Sequence, residues 1–203
     1  SEMCIRDSYY ANFDWYNYLY DDSRPTWDHN INIKGGTKAL SYMVSGRYYQ
    51  QKGVNRIEPD MFKSYNFRVK LQAEIKPWLT IASNTKFFQS NYRYYGYEDE
   101  YNNFRKPTLH ALASFVPVNP DGTAVSHTSM TQSSTHYVMD GYNAMMQKGK
   151  SFGNKKTQEI TTTFEATFKL HKNFNVKADF SYTQGYLHND YRSVNVQYSQ
   201  YPG

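Results

Sequence analysis

Glu98, Asp99 and Glu100 form the densest acidic run of the chain, directly after Tyr92, Tyr94, Tyr95 and Tyr97. Carboxylates beside phenol rings could contact a cation or a sugar, or could simply face water in a loop. A calcium loop ending at Asp121 would need an acid two residues earlier, where Asn119 stands. NPDG (119–122) therefore reads as a turn. The six His, at 29, 110, 127, 136, 171 and 188, form no i,i+4 pair and read as surface or interface residues. The single Cys, Cys4, excludes an internal disulfide and a Cys-based zinc motif. GxSxG, HExxH, a Walker loop and a Gly-rich dinucleotide turn are all missing from the sequence. No catalytic or metal constellation results, so neither an enzyme nor a cofactor is expected.

What the residues do favour is a wall rather than a site. The 203 residues hold 21 Tyr, 12 Phe and 3 Trp, with a net charge of only +5. Disorder usually goes with high charge and few aromatics, so the chain should fold. The sequence has no run of about 18 apolar residues, which rules out a transmembrane helix. A transmembrane β-barrel stays open, because alternating strands average to a polar composition. Lys and Arg are scattered along the chain, without the basic run expected of a nucleic-acid surface.

Strict alternation is the main signal. From Tyr65 the odd positions run Tyr65, Phe67, Val69, Leu71, Ala73, Ile75, against Asn66, Arg68, Lys70, Gln72, Glu74 and Lys76. A period of two predicts a strand with one apolar and one wet face. The pattern returns with Ile160, Phe164, Ala166, Phe168 and Leu170 against Glu159, Thr161, Thr163, Glu165, Thr167 and Lys169. It returns again with Phe174, Val176, Ala178, Phe180, Tyr182 and Tyr186 against Asn175, Lys177, Asp179, Ser181 and Thr183. Weaker alternations cover His29 to Ile33, Leu40 to Tyr48 and Leu79 to Phe87. Six strands are expected.

Their connections are unequal in an ordered way. Gly35 to Lys38, Pro77 with its neighbours Lys76 and Trp78, and His171 to Asn173 are hairpin-length. Residues 51–62 and about 97–157 are long. Short and long alternate, so the short turns gather at one end of the sheet and the long loops at the other. Membrane barrels have this asymmetry, on strands of about 9–11 residues. Aromatics near strand ends, such as Tyr48, Tyr49, Trp78, Tyr92, Tyr94 and Tyr95, suit a membrane–water boundary. The expected fold class is all-β: an antiparallel up-and-down meander, part of a large transmembrane barrel, with one long extracellular loop. Six strands cannot close such a barrel, whose minimum is about eight. A soluble glycan-binding β-sandwich and a passive outer-membrane porin are the alternative readings.

Ser1 to Ser8 lack the Tyr-rich texture that begins at Tyr9 and look like a translated sequencing-adaptor scar. The expected organisation is therefore a non-native 1–8 followed by a partial barrel over 9–203. Beyond that point the sequence resembles the start of the barrel in the SusC/RagA family of TonB-dependent outer-membrane transporters. The resemblance is carried by Asp14-Trp15-Tyr16, DHNINIKGGTK (28–38), YMVSGRYYQQKGV (42–54) and FKSYNFRVKLQAEIKPWLTIASN (62–84). VPVNPDGT (116–123) looks like a Pro-containing turn in a long external loop of these proteins.

The resemblance implies a 22-stranded barrel around an N-terminal plug, energised through TonB and covered by a SusD-like surface lipoprotein. The implied cargo is oligosaccharide or peptide, and the implied location is the bacterial outer membrane. The residues contain no plug or TonB-contacting sequence, so the expectation is an arc of about strands two to seven. In such a wall Arg68, Lys70, Gln72, Glu74, Glu165, Lys177 and Asp179 would face the lumen. Phe67, Val69, Leu71, Ile75, Phe164, Phe168, Val176 and Phe180 would face outer-membrane lipid. Tyr94, Tyr95, Tyr97 and Asp99 would contact ligand or lid.

Overall fold

The computed structural model describes residues 12–96, 110–126, 140–141, 148, 150–195 and 197–199. Six long strands pair in sequence order into one antiparallel sheet. They are β1 (Thr26–Gly36), β2 (Leu40–Lys52), β3 (Met61–Lys76), β4 (Leu79–Tyr95), β6 (Phe152–His171) and β7 (Phe174–Arg192). Two short strands, β5 (Ala124–Val125) and β8 (Tyr198–Ser199), pair in parallel beside them. A five-residue helix, α1 (Trp15–Leu19), precedes β1. Neither α1 nor the β5–β8 pair is expected from the sequence pattern. No described helix is long and apolar enough to cross a membrane.

The hairpin chemistry is local. Gly36 adopts φ +158°, and a Cβ there would stand 2.3 Å from the Leu40 carbonyl oxygen. The Thr37 hydroxyl then accepts from the Ala39 and Leu40 amides at 3.3 and 3.2 Å, closing the β1–β2 turn. Pro77-Trp78 and Lys172-Asn173 close the other two hairpins, each beside a bulge, at Glu74/Lys76 and Lys169/His171. All three short turns lie at one end, as the connection lengths predict. Residues 53–60 and 96–151 make the long connections at the other.

Strands outrun their sequence signal at the long-loop end. β6 starts at Phe152 rather than after residue 157, β3 at Met61, and β4 runs to Tyr95. Stretches such as GNKKTQ (153–158) are polar on both faces, so alternation vanishes although the ladder continues. Away from the two bulges the register holds without a slip across all five pairings. Side-chain parity therefore assigns every strand residue to one of two faces.

Among the described residues the sheet's apolar face carries no second layer. Phe180 is 66% exposed, its partner Phe164 55%, and Ile31 62%. A sandwich would cover these rings. The buried apolar core lies elsewhere. Trp15 (5% exposed) and Leu19 (2%) sit at the long-loop end with Phe13, Tyr18, Tyr20, Ile57 and Ala111 around them.

Candidate functional site

Parity brings the two expected residue sets to opposite faces of one sheet. Ser45 pairs with Arg68, and Arg68 with Lys86; Met43 pairs with Lys70, and Lys70 with Asn84. Gln72 reaches Glu165 through Ala82, and Glu165 faces Asp179. Glu74 pairs with Thr80, Thr80 with Thr167, and Thr167 with Lys177. All seven residues expected at the lumen thus share the polar face.

On the other face Phe67 pairs with Phe87, and Val69 with Val44 and Thr85. Leu71 pairs with Tyr42 and Ser83, Phe164 with Phe180, and Phe168 with Val176. Ile75, 53% exposed, is the residue skipped in the β3 bulge.

The polar face is internally bonded. Lys177 Nζ lies 2.7 Å from Glu165 Oε2. Arg68 Nε donates to Asn84 Oδ1 at 2.8 Å. Thr163 and Ser181 hydroxyls meet at 2.7 Å, and those of Thr161 and Thr183 at 3.1 Å. Arg47 forks onto Asp28, with Nε donating to Oδ1 at 3.0 Å and Nη2 to Oδ2 at 2.7 Å. A shallow depression of about 350 Å³ opens on this face between Asn32, Arg47, Asn66, Arg68, Lys86 and Phe88. Amides, guanidinium groups and one ring can bond a hydroxylated or amide-rich solute. Nothing here couples a nucleophile to a base, and no metal-holding cluster occurs among the described residues.

The apolar face has a definite height. Along β4 it runs from Leu79 to Gln89, about 33 Å of strand at ~3.3 Å per residue, or ~25 Å of height at a ~40° tilt. Its upper limit is the row His29, Tyr48, Tyr65, Gln89, Gln158, Tyr186, read across the register. The two amides satisfy each other, Gln158 Nε2 donating to Gln89 Oε1 at 2.7 Å. Thr85 and Thr162 do the same lower down, at 3.2 Å. Such self-paired polar groups cost little on an otherwise apolar face. Their sequence signal is hidden, since each breaks the alternation of its own strand and is explained only by its cross-strand partner.

The aromatic run divides differently from expectation. Tyr94 and Tyr95 belong to β4, not the loop, and parity sends them to opposite faces. Tyr94 is 5% exposed and lies over Gly153, where a Cβ would stand 2.3 Å from its Cζ. Tyr95 stacks with Arg93, whose guanidinium carbon is 5.4 Å from that ring and 4.3 Å from Phe152. Tyr97, Asp99 and the rest of the acidic run lie outside the described residues.

Sequence reasoning misses the hub of the long-loop end. Asp14 caps α1 by accepting from the Asn17 amide at 3.0 Å. The Trp15 indole donates to the Leu112 and Phe115 carbonyls, both at 3.0 Å. Leu19 and Asp21 are joined by backbone bonds to Arg56 and Val54. One short helix so ties both long connections together. Burial pushes the Tyr18 phenol pKa up. NPDG is a turn as expected: the Gly122 amide donates to the Asn119 carbonyl at 2.9 Å, with Gly122 at φ +86°.

Two solved structures are similar in fold. The RagAB peptide importer in its closed-closed state matches with a TM-score of 0.58 and 20% identity, over 87% of this chain and 19% of that chain. A RagAB peptide transporter structure matches with a TM-score of 0.58 and 21% identity, over 84% and 18%. No family model matches the chain, and no curated protein does. The chain spans about a fifth of the length of the solved chains it resembles. At this identity the likeness is one of fold: an antiparallel meander that is part of a large β-barrel, left open by its six strands.

Proposed function

We propose that residues 9–203 are an arc of the wall of a SusC/RagA-type outer-membrane importer, with residues 1–8 a non-native scar. The observation that supports this most is the two-faced sheet. One face is apolar for about 25 Å of height and ends in a tyrosine row, while the opposite face is predominantly polar and carries all the charged residues of that height. The fold likeness to a peptide importer agrees with it.

In this reading Phe67, Val69, Leu71, Ile75, Phe164, Phe168, Val176 and Phe180 meet lipid. Arg68, Lys70, Gln72, Glu74, Glu165, Lys177 and Asp179 line the lumen, where water and a plug surface satisfy their charges. The short turns face the periplasm. The loop near 97–157 faces outward, where its Tyr and Asp side chains meet cargo or a SusD-like lipoprotein. Peptides or oligosaccharides are the cargo, and TonB supplies the energy through parts of the protein outside this arc. The wall itself does no covalent chemistry.

The test is uptake by cells carrying the gene's complete reading frame. Labelled peptide and labelled oligosaccharide are offered to wild type, to a deletion, and to cells with TonB disabled. Loss of uptake of one cargo class in both defective strains is expected. Uptake indifferent to TonB would make the protein a passive pore and end the importer reading.

A further inference from the structure

On the apolar face the chemistry changes in a fixed order toward the long-loop end. Below the tyrosine row a hollow of about 670 Å³ opens over Gly46, whose missing side chain leaves room between Ile31 and Phe67. Tyr48, Tyr65, Phe87 and Gln89 also line it. The row of phenols and amides comes next. Beyond it, on the same face, stand Lys52, Lys63, Arg93, Lys156 and Arg192, against a single acid, Asp190.

Three of these cations form a cluster. Lys63 pairs with Asn91 and Asn91 with Lys156, so the two lysines flank Asn91 in one row. They are separated by two strand spacings, about 10 Å. Arg93 stands two residues further along the central strand, its guanidinium held on the Phe152 and Tyr95 rings. Among the described residues no carboxylate pairs with Lys63, Arg93 or Lys156. A row of like charges left uncompensated costs free energy through mutual repulsion, which an anion would relieve.

Apolar hollow, then hydrogen-bonding row, then cations is the order of parts in a lipid: acyl chain, linkage region, phosphate. We propose that this strip of β1–β6 docks a phosphate-bearing lipid of the outer leaflet, one acyl chain lying over Gly46 and the headgroup phosphate on Lys63, Arg93 and Lys156. The inference rests on the barrel-wall reading, which makes this face the lipid-exposed one. A soluble anion would use the cations but leave the hollow unexplained.

The test uses the protein from its complete reading frame, with any native cysteine replaced by Ser, in bilayers of neutral lipid. A fluorophore on Val69→Cys is expected to be quenched by brominated phosphatidylcholine; no quenching would overturn the wall reading and the proposal with it. A fluorophore on Phe87→Cys, beside the hollow, is then read with a minority of brominated phosphatidylglycerol. Quenching per brominated lipid is expected to exceed that by phosphatidylcholine about fivefold, the factor one well-placed cation gives near an anionic headgroup. The triple variant Lys63→Ala, Arg93→Ala, Lys156→Ala should bring the ratio to parity and leave the Val69 probe unchanged. Parity in the protein with these cations intact would overturn the lipid site while the wall reading stands. Loss of the preference on adding inorganic phosphate at constant ionic strength would assign the cations to a soluble anion instead, and would also overturn it.

Discussion

The sheet and the loop cluster reverse the usual places of core and surface. In the sheet Phe180 and Ile31 stand more than half exposed, whereas at the loop end Trp15 and Leu19 are almost wholly buried. The sheet holds itself by backbone ladders and cross-strand pairs, and no described residue covers its apolar face. The loop end carries its own packed core, with an indole donating to two carbonyls of another loop. The contrast teaches that the loop end buries apolar side chains against one another, whereas among the described residues the apolar face of the sheet has no such cover.

The largest effect is expected in the loop core, where a large buried ring also carries hydrogen bonds. Trp15→Ala removes an indole 5% exposed and both of its hydrogen bonds. Such truncations cost about 3–5 kcal/mol. Amide exchange should accelerate across 53–60 and 111–115 while the β3–β4 and β6–β7 ladders keep their protection. Equal loss in the sheet would mean that the loop core and the wall are one cooperative unit, and the contrast would fall.

The wall is probed next, by charge. Val69→Arg sets a guanidinium on the apolar face near mid-height, at an expected cost of about 2–4 kcal/mol in a bilayer. Lys70→Ala, one residue on, changes the polar face and should be nearly neutral. Barrel assembly, followed by heat-modifiable gel mobility of the complete protein, should fail or slow for the first and not for the second. The opposite order would reverse the faces.

How much of this was legible follows from which side chains report on their surroundings. Residues 65–76, 160–170 and 174–186 show their faces because one side is apolar and the other wet. Lys63, Asn91 and Lys156 occupy the same ladder, yet their strand segments show no alternation, since both faces there are polar. The two faces of the wall could be assigned from parity alone. The division of Tyr94 from Tyr95 could not, because an aromatic run has no parity signal. Nor could α1: five residues are too few for helical periodicity to show, and its stability comes from Trp15 reaching a loop about a hundred residues away.

A smaller change sharpens the contrast inside the sheet itself. Tyr94 over Gly153 is one place where a strand ring is buried. Gly153→Ala should overpack that contact and loosen the upper β4–β6 ladder by about 1–3 kcal/mol. Tyr94→Ala in the same chain should relieve the clash, so the double variant should be less destabilised than the sum of the singles. Strict additivity in a denaturant titration would remove this contact from the list of packed places and leave the loop core standing alone.

The smallest expected effect tests the charged cap of the loop core. The Asn17 backbone amide, and then its side-chain amide, hold the Asp14 carboxyl below the usual carboxylate range. A carboxyl depressed in the folded state binds protons less readily there than in the unfolded chain. Its stabilisation is therefore complete at neutral pH and is lost as the pH falls through the folded value. Because Asp14 is exposed, water screens this contribution and only local fraying of α1 should follow. The opening equilibrium at the Asn17 amide, read as its exchange rate relative to the intrinsic rate at each pH, should rise several-fold on acidification, and Asp14→Ala should show the raised value at every pH with no further acid dependence. Asp14→Asn should keep most of the cap, because its amide oxygen can still accept from Asn17. A residual acid response in Asp14→Ala would move the pH sensitivity to another group and leave the loop core independent of its cap.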